Sequence, residues 1–170
     1  MVLRYDGRGG SNRNWQYTSQ QGLLRPAGGW FSGGMELVPV APASVAPAER
    51  FTGDVYVSPL HAGEVPSRLI SALVHFTPGA RTNWHSHPLG QTLHCTGGNG
   101  LVVTRDGTVI HLRPGDTVHT PPGEEHWHGA TSRSLMSHLA MVEHYNGESA
   151  TWLEPVSDAD YETADAPLGR

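Results

Sequence analysis

Lysine is absent from this chain, and cysteine occurs once, at Cys95. Without lysine there is no Schiff base and no lysine general base to consider. One cysteine cannot build an intramolecular disulfide framework. No apolar run approaches the ~20 residues that a membrane-crossing helix needs, and the N-terminus lacks the apolar core of a secretory signal. These absences lead us to expect a soluble, cytoplasmic protein with no membrane partner. Positive charge is also scarce: 11 Arg stand against 16 Asp and Glu, for a net charge of −5. The balance is about +3 through Gly34, about −4 over the central region and about −4 from Glu154 onward, which leaves no broad basic face for nucleic acid.

What the chain has in excess is punctuation and histidine. It carries 21 Gly, 13 Pro and 11 His in 170 residues. Glycine and proline scattered between short apolar runs predict many turns, many short strands and little helix, so the expected class is all-β. The length suits one domain with a sizeable core and is too short for two of ordinary size.

Read along the chain, residues 1–48 form an N-terminal extension. It ends in VPVAPASVAPA, a Pro/Ala-rich linker or edge strand that cannot donate a full ladder of hydrogen bonds. Residues 49–155 read as the barrel. FTGDVYVSPL and RLISALVHF are strands, QTLHCT is another, and LVVTR with TVIHL flanks Asp106-Gly107 as a hairpin. His126 and His128 follow the PPGEE turn, and Ser134 to Glu143 gives the last strong strand, with Met136, His138, Ala140 and Val142 on one face. Residues 156–170 are an acidic tail in which Ser157 caps a short helix, expected to be peripheral. No repeat suggests a second barrel. A short barrel with a Pro-rich leading strand has edges to cover, so a homodimer or homotetramer is expected.

Five histidines fall at positions compatible with one pocket. His85 and His87 are two apart, so on a strand both imidazoles leave the same face, and His126 arrives on a separate strand. With Gln91 they form a set of three imidazoles and one amide able to converge on a metal. His61, His75, His94, His111, His119 and His144 read as surface or filler histidines. Trp84 and Trp127, each beside a candidate ligand, project to the opposite strand face and read as packing.

The spacing carries a family resemblance. Gly79, five residues, His85-x-His87, three residues, Gln91, six residues and Gly98 resemble the first cupin motif. Gly115, five residues, Pro121-x-Gly123, two residues and His126 resemble the second. Gln91 stands where the family usually has glutamate, and Ala130 where it usually has asparagine. The resemblance implies a double-stranded β-helix, or jelly-roll, barrel over roughly Glu49 to Pro155. More narrowly, GARTNWHSHPLGQ, PGEEHWHGA and HLA resemble the small manganese cupins that act as bacterial hydroxynitrile lyases. That likeness implies His85, His87, Gln91 and His126 as metal ligands, with His128 and His138 lining the pocket.

Neutral imidazoles and an amide would leave a divalent ion its full charge, which favours stabilising anionic species such as an alkoxide, enolate or cyanide. Four protein donors leave two positions of an octahedral ion open to substrate or water. Manganese is preferred on the resemblance, iron second and zinc third, with cobalt and nickel compatible with the donors. His138, on a different strand from the ligands, is the expected general base and His128 the residue that orients substrate. Thr82, Leu93, Val102, Met136, Ala140 and Val142 are expected pocket walls, and their apolar character points to a small organic substrate. The expected activity is a lyase acting on a small carbonyl or hydroxyl compound. The alternatives are an iron-dependent dioxygenase at the same ligands and a non-catalytic metal-binding sensor or binding module.

Overall fold

The structure, a computed structural model, describes residues 35 and 37–166. The expected extension up to residue 34, and the end of the acidic tail, lie outside the described residues. Thirteen strands and one helix follow: Ser44–Val45 (β1), Phe51–Thr52 (β2), Val55–Ala62 (β3), Leu69–Phe76 (β4), Arg81–Thr82 (β5), His85–Ser86 (β6), Gln91–Gly98 (β7), Gly100–Thr104 (β8), Val109–Leu112 (β9), Thr117–Thr120 (β10), His126–Ala130 (β11), Met136–Glu143 (β12), Thr151–Trp152 (β13) and Asp158–Asp165 (α1). Among the described residues no helix is long and apolar enough to cross a membrane.

The strands form two curled antiparallel sheets. One runs β1-β3-β4-β12-β7-β10, and the other β13-β6-β11-β5-β2, with β8 paired to β11 and β9 to β8. Period-two alternation sets the lumen. On β4, Ile70, Ala72, Val74 and Phe76 are buried while the residues between them are not, and β7 buries Gln91, Leu93 and Cys95 in the same way. Of these, Ala72, Val74, Phe76, Leu93 and Cys95 meet Val55, Val57, Val102, Leu112 and Met136 from the other strands in one core cluster. Phe76, Leu93 and Met136 are at most 1% exposed, each a burial that stabilises by roughly 1.5–3 kcal/mol.

β11 is buried along its whole length because it is covered on both faces. His126 and His128 face the lumen side. Trp127 faces outward into a second cluster with Trp84, Leu101, Val103, Val156, Tyr161 and Ala164. Both tryptophans are therefore packing residues, as their strand parity implies. The tail helix is not peripheral, contrary to expectation. Ser157 caps it by accepting from the Asp160 N–H at 3.0 Å, and Tyr161 is buried against Trp127 with its hydroxyl donating to the Ala130 carbonyl at 2.8 Å. The Arg81 guanidinium lies 4.7 Å from the Tyr161 ring and pairs with Asp158. Trp127, Leu101 and Val103 present an apolar outer face that would otherwise meet water, and α1 covers it.

Turn glycines hold the strands in register. Gly98 has φ +72°, and a Cβ there would fall 1.8 Å from the Leu135 carbonyl oxygen. Gly123 has φ +79° with nothing within 4 Å of a Cβ position. Gly123→Ala should then cost only the left-handed penalty of about 1–2 kcal/mol. Gly98→Ala should cost about 3 kcal/mol or more, because backbone must also move. Urea unfolding of the two variants checks this, and equal costs would contradict the assigned turn geometry.

Candidate metal centre

Two short strands and one long one bring the histidines together. β11 pairs with β6 through His126 and His85, and with β8 through His128 and Val102. The backbone N–H of His128 also donates to Thr82 Oγ1 at 3.1 Å, which ties β11 to β5. The resulting ring centroids are 4.4 Å apart for His85 and His126, 5.1 Å for His85 and His87, and 5.7 Å for His87 and His126. All three side chains are buried.

Backbone carbonyls fix which ring nitrogen faces inward. The Nδ1 atoms lie 2.9 Å from the Asn83 carbonyl for His85, 2.5 Å from the Ser149 carbonyl for His87, and 2.9 Å from the Glu124 carbonyl for His126. A carbonyl oxygen only accepts, so each Nδ1 carries the proton and each neutral ring keeps its lone pair on Nε2. His87 Nε2 is buried without a hydrogen-bond partner. His126 Nε2 stands 3.0 Å from Gln91 Oε1. Two lone pairs at that distance repel unless a positive charge lies between them or the amide turns its NH2 to the ring. An orphaned Nε2 beside two more of the same tautomer, together with an amide oxygen, is a donor set that fits a divalent cation.

His128 stands closer to this group than its expected role implies. One ring nitrogen from each of His85, His126 and His128 falls within 4.8 Å of the others, the three-histidine grouping among the described residues that could hold a metal, and His87 is not part of it. His128 Nδ1 also lies 3.2 Å from His138 Nε2. The two rings share one hydrogen bond, so one nitrogen donates and the other accepts.

His85, His87, Gln91, His128 and His138 line a cavity of about 130 Å³ that is partly open to solvent. Of the expected walls, Thr82, Ala140 and Val142 line it. Leu93, Val102 and Met136 are packed in the core cluster. Residues that sequence reasoning passed over complete the wall: Phe51, Val57, Ile70, Val74 and Trp152 among them. The alternation on β4 signals that Ile70 and Val74 face inward. Nothing local marks Trp152, which stacks on His85 with centroids 4.7 Å apart and ring planes at 26°. No Asp or Glu lines the cavity among the described residues.

Burial holds all five imidazoles neutral. It lowers His87 to about 4 and His138 to about 3. His85 and His128 are pushed well below the ordinary imidazole range by burial and then by neighbouring imidazoles, and burial also lowers His126. An unfolded chain takes up imidazole protons as pH falls through about 6.5. The folded chain does not take them at His87 and His138 until near pH 4 and 3. Acid therefore favours unfolding across that window, while above pH 6.5 these groups leave stability flat. For metal-free protein, these two groups alone should lower the unfolding free energy in urea by about 2.5 kcal/mol for each unit fall in pH near pH 5. A free energy unchanged between pH 7 and pH 5 would contradict the buried neutral cluster.

Comparison with known proteins agrees with the barrel. The pattern of the cupin domain family matches residues 72–142. An (R)-mandelonitrile lyase from Granulicella tundricola is 47% identical over 115 residues, which cover 68% of this chain and 88% of that enzyme. A cupin-like protein from Thermotoga maritima superposes with a TM-score of 0.69 at 35% identity, covering 74% of this chain and 95% of that one. A polyketide cyclase from Streptomyces resistomycificus, 18% identical with a TM-score of 0.57 over 78% of this chain and 94% of its own, shares the fold alone. With its barrel, both motifs and a relative of this identity and coverage, the chain belongs to the cupin family.

Proposed function

We propose that this chain is a divalent-metal-dependent lyase that makes or breaks the bond between a cyanide carbon and a carbonyl carbon. The observation that carries the reading is the pairing of two devices in one cavity. His85 and His87 on the cavity wall, with His126 next to them, carry Nε2 lone pairs, and beside them lies the hydrogen-bonded His128–His138 pair. The relative named a mandelonitrile lyase supports the substrate class. We propose His85, His87, Gln91 and His126 as the holders of the ion, and manganese as the ion.

Bound there, a divalent ion would supply positive charge to stabilise the negative charge that develops on the substrate oxygen. The rest falls to the chain's own groups. The cavity volume is close to that of a site that takes one benzene molecule, so a small aromatic or short aliphatic side group fits against Ile70, Val74, Ala140 and Val142. In cleavage, the hydroxyl loses a proton, the carbon–carbon pair departs with cyanide, and cyanide takes up a proton. The balance is zero. His138, held near 3 by burial, is a weak base that does not store the proton as a stable imidazolium. It acts with His128 as a neutral relay, accepting at one nitrogen as the pair releases a proton elsewhere.

Chelator-stripped protein should lose mandelonitrile cleavage at least 100-fold and regain it on reloading with Mn(II). Benzaldehyde appearance and cyanide release are the readouts. The loaded His138→Gln variant should keep its metal and lose about 10²–10⁴ in kcat. Reloaded protein that turns over no hydroxynitrile would reject the lyase reading, and full activity in His138→Gln would reject the relay.

A further inference from the structure

The three imidazoles are not anchored alike. His85 and His126 donate to carbonyls two residues before them, Asn83 and Glu124, so their orientation is built into their own strand entries. His87 donates instead to Ser149, 62 residues along the chain. His85 is held from the same stretch, since Trp152 is its register partner on β13 and stacks on its ring. β6 is only two residues long and has β13 as its neighbour at the sheet edge. The Trp152 ring is backed in turn by the Arg50 guanidinium, 5.4 Å from its centroid, and by Phe51 at 5.6 Å. Backbone bonds fasten the segment beyond it, from the Leu153 N–H to the Trp84 carbonyl at 2.9 Å and from the Trp84 N–H to the Glu154 carbonyl at 3.1 Å. Ser149, Ala150 and Trp152 also line the cavity. Ser149, Ala150 and Trp152, with Arg50 and Phe51 behind the indole, lie outside residues 72–142, the stretch that matches the family pattern.

We propose that the segment from Ser149 to Trp152 is a clamp that orients His85 and His87, with Trp152 as a positioning residue that sets metal affinity and closes one side of the cavity. The inference rests on the metal reading given above. A flat indole stacked on an imidazole fixes the ring plane, and the Ser149 carbonyl fixes the His87 tautomer. Partners of this kind act on a metal through its ligands, and their loss costs roughly 10–100-fold in affinity.

The test uses the full chain, Trp152→Ala and Trp152→Phe, with urea unfolding to verify that each folds. Co(II) serves as the probe, followed by calorimetry and by its visible spectrum. Histidine side-chain ¹⁵N NMR on metal-free protein reads the rings directly. Trp152→Ala should bind Co(II) about 10–100-fold more weakly with an altered spectrum, and its His85 Nδ1–H signal should broaden or vanish while that of His126 persists. Trp152→Phe, which keeps a stacking ring, should restore both. Wild-type affinity and spectrum in Trp152→Ala, or equal losses in both variants, would overturn the clamp. A wild-type protein that takes up no Co(II) would overturn the metal reading instead, and the metal-free resonances would still decide whether the clamp exists.

Discussion

The site depends on a plain contact repeated three times: a backbone carbonyl accepting from a histidine Nδ1–H. Each such bond selects a tautomer, and each tautomer leaves a lone pair on the far nitrogen. Without these bonds a buried imidazole is a space-filling ring able to turn either edge inward. With them, the barrel turns rings into donors of fixed direction. Burial then keeps those donors uncharged, at the expense of stability in acid.

Neutrality also distinguishes this centre chemically. With Gln91 in place of a carboxylate and no acidic side chain among the described residues of the cavity wall, no carboxylate there would offset the charge of a bound cation. Negative charge developing on a substrate would meet that cation in an apolar surround, where electrostatic attraction is stronger than in water. The His128–His138 pair fits the same setting. Two neutral rings sharing one hydrogen bond can hand a proton on without the pair becoming charged, which a low-dielectric lumen would otherwise oppose.

Much of this was legible in the sequence, and the reasons are physical. Strand parity places His126 and His128 on one face of β11 and Trp127 on the other, and the structure follows it. Parity fixes a face but not a height along the barrel. Leu93, Val102 and Met136 share the inward parity of Ala140 and Val142, yet they pack in the closed core while the latter two reach the cavity. Trp152 and Ser149 were not legible, because their contacts with His85 and His87 span more than 60 residues and follow from the pairing of β13 with β6. The tail helix was visible from Ser157, but its docking depended on the outer face of β11 being apolar, a property of the assembled sheet.

The stretch that matches the family pattern supplies the three histidines and the carbonyl anchors of His85 and His126, while Ser149, beyond it, anchors His87. The account stands or falls on the direction of the Nε2 lone pairs. A crystal structure of Mn(II)-loaded protein, with the ion located by its anomalous scattering, tests that most directly. The account predicts one ion bonded to Nε2 of His85, His87 and His126 and to Oε1 of Gln91, with the three Nδ1–H bonds to backbone carbonyls intact. An ion bound through any Nδ1, or a lumen that takes up no ion at saturating Mn(II), would contradict it.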